Sequence, residues 1–236
     1  MSMTYPRPVR DIHQIEITSR CNLRCKYCPH YPLLPRPKED MTRETWLQAL
    51  QVVGFFVRQG TQQELSLTGI GESLLHENFP TMVAEAREVI GHHRMLTVTT
   101  NGLLLDEAMC EKLAPHKPAI FVSLHRPELA TKAVVAARKY GLLAGTNNSF
   151  ATSAFDWAGY QKNWTGLVSA PKTQCEYLRS GWGVILVDGR ITTCCLDAEA
   201  KPESEGGGVI GDIWQPASTL RMKPWTGCAS CHMSPP

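Results

Sequence analysis

Cys21-Asn-Leu-Arg-Cys25-Lys-Tyr-Cys28 crowds three thiols into one loop near the start of the chain. Soft sulfur donors at this density hold transition metals, and a [4Fe–4S] cube generally takes four cysteine ligands. Three in one tight turn leave one iron free to bind something else. A closed zinc site is the other reading, and it needs a fourth ligand, for which His30 is the near candidate. Five more cysteines gather towards the end, Cys175, Cys194, Cys195, Cys228 and Cys231, while Cys110 stands alone. Nine cysteines are an odd number in a chain with no secretion signal, which favours metal or redox chemistry over a disulfide framework. Their grouping implies two sites. Cys110, between Met109 and Leu113 in a helical stretch, reads as a small buried side chain.

The elements that must position these thiols alternate between strand-like and helix-like, the pattern of repeated βα units around a parallel sheet. Strands are expected at residues 13–18, 64–68, 95–99, 119–124 and 142–147. Helices are expected at 43–58, 80–90, 106–113 and 127–140, with Gly60 and Gly141 placed to end the first and last. A full barrel of eight such units takes about 250 residues, so five strands and four helices form a partial, truncated TIM-like α/β barrel. It occupies residues 1–150 and is followed by a small C-terminal unit over 151–236. In that tail, residues 183–193 read as a hairpin turning at Asp188-Gly189. The tail is short enough that a metal staple makes physical sense. The first cysteine loop follows the first strand, at the end of the sheet where barrel enzymes place their chemistry.

Three further strand ends carry polar residues: Leu67-Thr-Gly-Ile-Gly-Glu-Ser-Leu-Leu75, Thr100-Asn101-Gly102 and Ser123 within FVSLH. Glycines let backbone approach a ligand closely, and a carboxylate accepts hydrogen bonds from an ammonium group. Each of these is equally a turn or strand-end residue when taken alone.

Together, CxxxCxxC after the first strand and these elements in register behind it resemble the radical S-adenosylmethionine (SAM) enzymes. The resemblance implies that Cys21, Cys25 and Cys28 ligate a [4Fe–4S] cluster whose open iron chelates the amino and carboxylate groups of SAM. An electron from the cluster then cleaves the S–C5′ bond, and the 5′-deoxyadenosyl radical abstracts hydrogen from a substrate. By the same resemblance Tyr27 borders the adenine, and Gly69, Gly71, Glu72, Asn101, Ser123 and Asn147 contact SAM. Ser73 stands where the family usually has proline, and His125 where many relatives have aspartate.

Cys175, Gly189 and Cys194, with Cys228 and Cys231 as a CxxC, resemble the SPASM/Twitch extension of that family. This implies an auxiliary [4Fe–4S] cluster held by Cys175, Cys194, Cys228 and Cys231, in the shorter one-cluster Twitch form. A four-thiolate zinc ribbon is the alternative. Cys195 is an alternative to Cys194 as the ligand; the spacing from Gly189 favours Cys194, and Cys195, next to it on an extended segment, is expected to face the opposite way.

The layout is most like Twitch-bearing dehydrogenases, which implies oxidation of a small molecule with the auxiliary cluster as electron acceptor. The alternatives are a radical isomerase or epimerase, a peptide- or carbon-skeleton-modifying enzyme, and a non-catalytic iron–sulfur electron carrier. Residues 1–12 are too few for a leader-binding domain, which favours a small-molecule substrate. The implied electron donor is a flavodoxin or ferredoxin. A formal charge of +2 gives no field of the kind that drives nucleic-acid binding. No apolar stretch reaches membrane-spanning length, and a cytoplasmic location is expected.

Overall fold

The computed structural model describes residues 5–25, 28–30, 36–124, 126–147 and 175–231. After a short strand β1 (Arg7–Pro8), strand β2 (Asp11–Ile15) opens a βα series. It continues through α1 (Arg43–Arg58), β3 (Glu64–Ser66), α2 (Phe79–Ile90), β4 (Met95–Thr100), α3 (Glu107–Leu113), β5 (Ala119–Ser123), α4 (Pro127–Lys139) and β6 (Leu143–Asn147). Strands β2 to β6 are parallel neighbours in sequence order, as expected of a partial barrel.

Alternation along the strands, with a bulge between Ile12 and Gln14 in β2, sends Ile12, Ile15, Leu65, Leu96, Val98, Ile120 and Val122 into one core. The helices answer with apolar stripes, among them Trp46, Val53 and Phe56 of α1, Phe79 and Val83 of α2, and Ala133 and Ala137 of α4. Thr42 caps α1 by accepting from Thr45 N, and Asp106 caps α3 by accepting from Met109 N. Cys110 is fully buried in this core, as its apolar surroundings in the sequence implied.

The first strand ends earlier than its residue pattern suggests. Residues 17–19 leave the sheet and pair with a strap over residues 36–41: Met41 N donates to Ile17 O and Ser19 N to Glu39 O, both at 2.9 Å. Thr18 bridges to Asp40 and donates to its carboxylate at 2.6 Å. Both ends of the cysteine loop are thereby tied together. Backbone pairing to the strap satisfies the hydrogen-bonding groups that a longer strand would have offered its neighbours.

The tail adds strands to the same sheet. Helix α5 (Glu176–Ser180) leads into β7 (Trp182–Ile185), which pairs in parallel with β2. Strands β8 (Arg190–Thr192) and β9 (Val209–Asp212) follow antiparallel, giving one eight-stranded sheet in the order β6-β5-β4-β3-β2-β7-β8-β9. A last strand, β10 (Arg221–Met222), pairs with β1. The hairpin turn lies at Asp188-Gly189, with Gly189 at φ +86°. Because Ile185, Ile191, Ile213, Leu220 and Met222 enter the main core, the tail is held by shared apolar packing and not by its cysteines alone.

At the N-terminal end of β2, Asp11 is 1% exposed and its Oδ1 has no hydrogen-bond partner. Burial pushes its carboxyl up to about 7. With the folded value above the unfolded one, stability from this group is full below the unfolded value and is lost as pH rises through about 7. Asp11→Asn, which cannot ionise, should therefore raise the thermal midpoint relative to wild type more at about pH 8 than at about pH 6. An equal difference at the two pH values would contradict this assignment.

Candidate functional site

One cavity of about 130 Å³ opens at the C-terminal ends of β2 to β5. Its wall contains Cys21, Cys25, Cys28, Gly69, Gly71, Glu72, Asn101 and Ser123, eight residues singled out from sequence. The loop after β2 supplies the thiols, the loops after β3 and β4 supply the glycines, Glu72 and Asn101, and the last residue of β5 supplies Ser123. Asn147 ends β6 in register with Ser123, and its carbonyl accepts from Leu124 N at 2.7 Å; its side chain is not part of the cavity wall. Tyr27 and His125 lie outside the described residues.

Backbone amides are already directed at sulfur. Leu23 N donates to Cys21 Sγ at 3.5 Å, and His30 N donates to Cys28 Sγ. The His30 ring is fixed beneath the loop, with Nε2 2.9 Å from Ser19 O. That contact makes Nε2 the donor, which removes His30 as a ready fourth metal ligand through that nitrogen. Burial pushes Cys28 up to about 12 and Cys21 up as well, so holding thiolates here calls for a nearby cation. Among the described residues no three His, Cys, Asp or Glu side chains close on a point that would hold a single metal ion. The three thiols instead stand around a cavity, a donor set suited to an iron–sulfur cube with one iron left for a ligand.

Gly69 and Gly71 line the cavity and also let the chain approach itself. A Cβ at Gly69 would lie 2.3 Å from Glu16 Cγ, and one at Gly71 would lie 2.2 Å from Thr18 O. Their missing side chains let the β3 loop press against the root of the cysteine loop, where Glu72 N donates to Arg20 O at 2.7 Å. Glu72 is 3% exposed and accepts from Thr100 Oγ1 at 2.7 Å, Asn101 N at 2.8 Å and Leu74 N at 3.3 Å. Burial raises its carboxyl despite these donors. Asn101 Nδ2 donates to Asn22 Oδ1 at 2.7 Å, joining the β4 loop to the cysteine loop. Gly102 turns that loop at φ +82°.

Two residues that shape this site were not found from sequence. Glu16, 2% exposed, accepts from Ile70 N at 3.0 Å and pairs with buried Arg36. A charge between Ile15 and Ile17 at a strand end was the available signal. Arg36, in a proline-rich stretch, carried none.

The C-terminal cysteines sit at the opposite end of the sheet. Cys175 precedes β7, and Cys194 and Cys195 follow antiparallel β8, so all three return to the N-terminal side of β2. Cys175 and Cys228 both act on the Tyr5 hydroxyl, and Cys175 acts on Cys194. Cys231 N donates to Cys228 O at 3.4 Å. Cys194 and Cys195 do not face opposite ways. The chain turns there, with Asp197 N donating to Cys194 O at 3.2 Å, and the two thiols hydrogen-bond each other. Cys195 accepts from Cys194 and from the Tyr177 hydroxyl, which holds it below the usual thiol range and pushes Cys194 up. Tyr177 belongs to an aromatic cluster with His13 and Trp182, the latter two stacked at 4.1 Å.

A family model described as the Radical SAM superfamily matches residues 15–142. GTP 3′,8-cyclase of Acidothermus cellulolyticus is 39% identical over 106 residues, 42% of this chain and 27% of that protein. PqqA peptide cyclase of Granulibacter bethesdensis is 34% identical over 99 residues, 42% of this chain and 24% of that protein. This chain thus spans about a quarter of the length of these curated relatives. Among solved structures, BtrN in complex with AdoMet and 2-DOIA aligns with a TM-score of 0.68 at 18% identity, covering 89% of this chain and 80% of that one. The anSMEcpe structure with bound AdoMet aligns at 0.59 and 16%, covering 88% and 79%.

The loop-to-loop contact at Gly71 is directly testable. Gly71→Ala drives a Cβ into the Thr18 and Arg20 carbonyls, an overpacking of about 1–3 kcal/mol that should lower the thermal midpoint by roughly 2–12 °C. Gly145→Ala, whose Cβ meets Phe121 at an ordinary 3.4 Å, should change it little. Equal midpoints for both variants would show that the β3 loop does not depend on that approach.

Proposed function

The chain belongs to the radical SAM superfamily, and from that premise we propose that it cleaves SAM reductively and uses the resulting radical to dehydrogenate a small molecule. The observation that carries this reading is the placement of two thiol groups at opposite ends of one sheet. When bound, a [4Fe–4S] cluster with an open iron supplies the electron that splits SAM, and a second cluster supplies an acceptor for the electron that the substrate loses.

The chain's own residues do the rest. Cys21, Cys25 and Cys28 hold the first cluster, and the amides of Leu23 and His30 stabilise two of their thiolates. Glu72, fixed by Thr100 and Asn101, offers its remaining lone pairs to the SAM ammonium group. Gly69, Gly71, Asn101 and Ser123 complete the cavity wall, with Tyr27 and Asn147 proposed as further contacts. Cys175, Cys194, Cys228 and Cys231 are proposed to hold the auxiliary cluster, with Cys195 anchored on Tyr177 beside them. Oxidation of an alcohol carbon balances as one hydrogen atom to the adenosyl radical, one proton to a base and one electron to the acceptor. The proposed reductant is a flavodoxin or ferredoxin.

The BtrN neighbour, with its small-molecule ligand 2-DOIA, supports the small-molecule reading. Peptide modification is the second reading, favoured by the PqqA peptide cyclase relative and by the SuiB structure bound to its precursor peptide, aligned at a TM-score of 0.51.

Anaerobic reconstitution should yield about eight irons per chain, against about four if only the first cluster forms. Cys28→Ala should abolish formation of 5′-deoxyadenosine. Cys231→Ala should lower iron by about half while SAM cleavage by the first cluster continues. Normal cleavage by Cys28→Ala would refute the ligand assignment, and unchanged iron in Cys231→Ala would refute the auxiliary cluster.

A further inference from the structure

Three distant parts of the chain meet on the guanidinium of Arg36. Its Nη1 and Nη2 donate to the two carboxylate oxygens of Glu16 at 2.7 and 3.1 Å, and its Nε donates to Ala198 O at 2.9 Å. The two side chains are 4% and 2% exposed. Glu16 Oε2 also accepts from Ile70 N, and Glu16 fills the space that a side chain at Gly69 would need. The segment around Ala198 is equally fixed. Asp197 accepts from Thr192 Oγ1, Ala200 N and Gly208 N, and its own amide holds Cys194 O.

This arrangement leaves little freedom for independent motion. A shift of the Gly69-Ile70 backbone displaces Glu16, and a displaced Glu16 either carries Arg36 with it or leaves a buried charge unpaired. Arginine suits this task because its planar fork serves both carboxylate oxygens while Nε reaches a third group. We propose that Arg36 is a positioning residue that couples the Gly69–Glu72 loop to the segment from Cys194 to Ala198, so that SAM binding at the first is felt at the second. The coupling rests on the reading of that loop as part of the SAM site. It gives the cofactor cavity a structural line to the cysteines at the far end of the sheet.

Amide hydrogen exchange of the cluster-loaded chain tests this, with SAM binding measured separately by equilibrium dialysis. In wild type, SAM should slow exchange at residues 69–72 and also, by about tenfold, at 196–201. Arg36→Lys keeps a charge opposite Glu16 and gives up the bond to Ala198. It should bind SAM and protect residues 69–72 while losing the response at 196–201. The double variant Glu16→Gln/Arg36→Met, which removes both charges together, should lose the same response. Wild-type protein that binds SAM without protection at 196–201 would overturn the coupling, as would a response that persists in either variant. Wild-type protein that binds no SAM would instead overturn the site reading beneath it.

Discussion

The buried charge pair between Glu16 and Arg36 is the constraint that ties the site's loops to one another and to the tail. It joins the end of β2, the return strap of the cysteine loop, the glycine loop after β3 and the segment behind Cys194. Removing one partner of such a buried pair typically costs about 3–5 kcal/mol, because the other charge is left without compensation. Exposed pairs such as Lys139 with Glu107 contribute far less. Around the buried pair, Thr18, Ser19 and Arg20 bind the strap at Pro37, Glu39 and Asp40, so the loop carrying three thiols is closed at its base.

From this base the chemistry follows by position. Parallel strands deliver their ends to one side, and each contributes what its residues permit: thiols after β2, a buried carboxylate after β3, an asparagine after β4 and a serine at the end of β5. The polar face of the sheet leads into the cavity through hydrogen-bonded Ser66, Thr68, Thr97 and Thr99. Strand β8, antiparallel to β7, then returns the chain towards the opposite end of the sheet, where Cys194 and Cys195 follow it.

The sequence disclosed much of this because the informative features are local. Helical periodicity located α1 to α4, and strand alternation located the parallel strands to within a few residues. Cysteine spacing marked the cavity. What escaped was non-local. That residues 17–19 would turn to a strap at 36–41, or that β7 would join β2 and draw the tail into the main sheet, depends on pairing between segments far apart in the chain. Arg36 lacks any local pattern, and the orientation of Cys195 depends on a turn that extended-chain alternation does not anticipate. Gly69 and Gly71 were marked by type, yet the close neighbours that require them, Glu16 and the Thr18 carbonyl, belong to another strand.

The central claim is a three-thiolate iron–sulfur cluster with one iron open to SAM, and electron–nuclear double resonance on the reduced wild-type protein tests it most directly. With SAM carrying 15N in its amino group, the account predicts a 15N hyperfine coupling from direct ligation to the cluster. A reduced cluster that shows no such coupling while SAM is bound would contradict it.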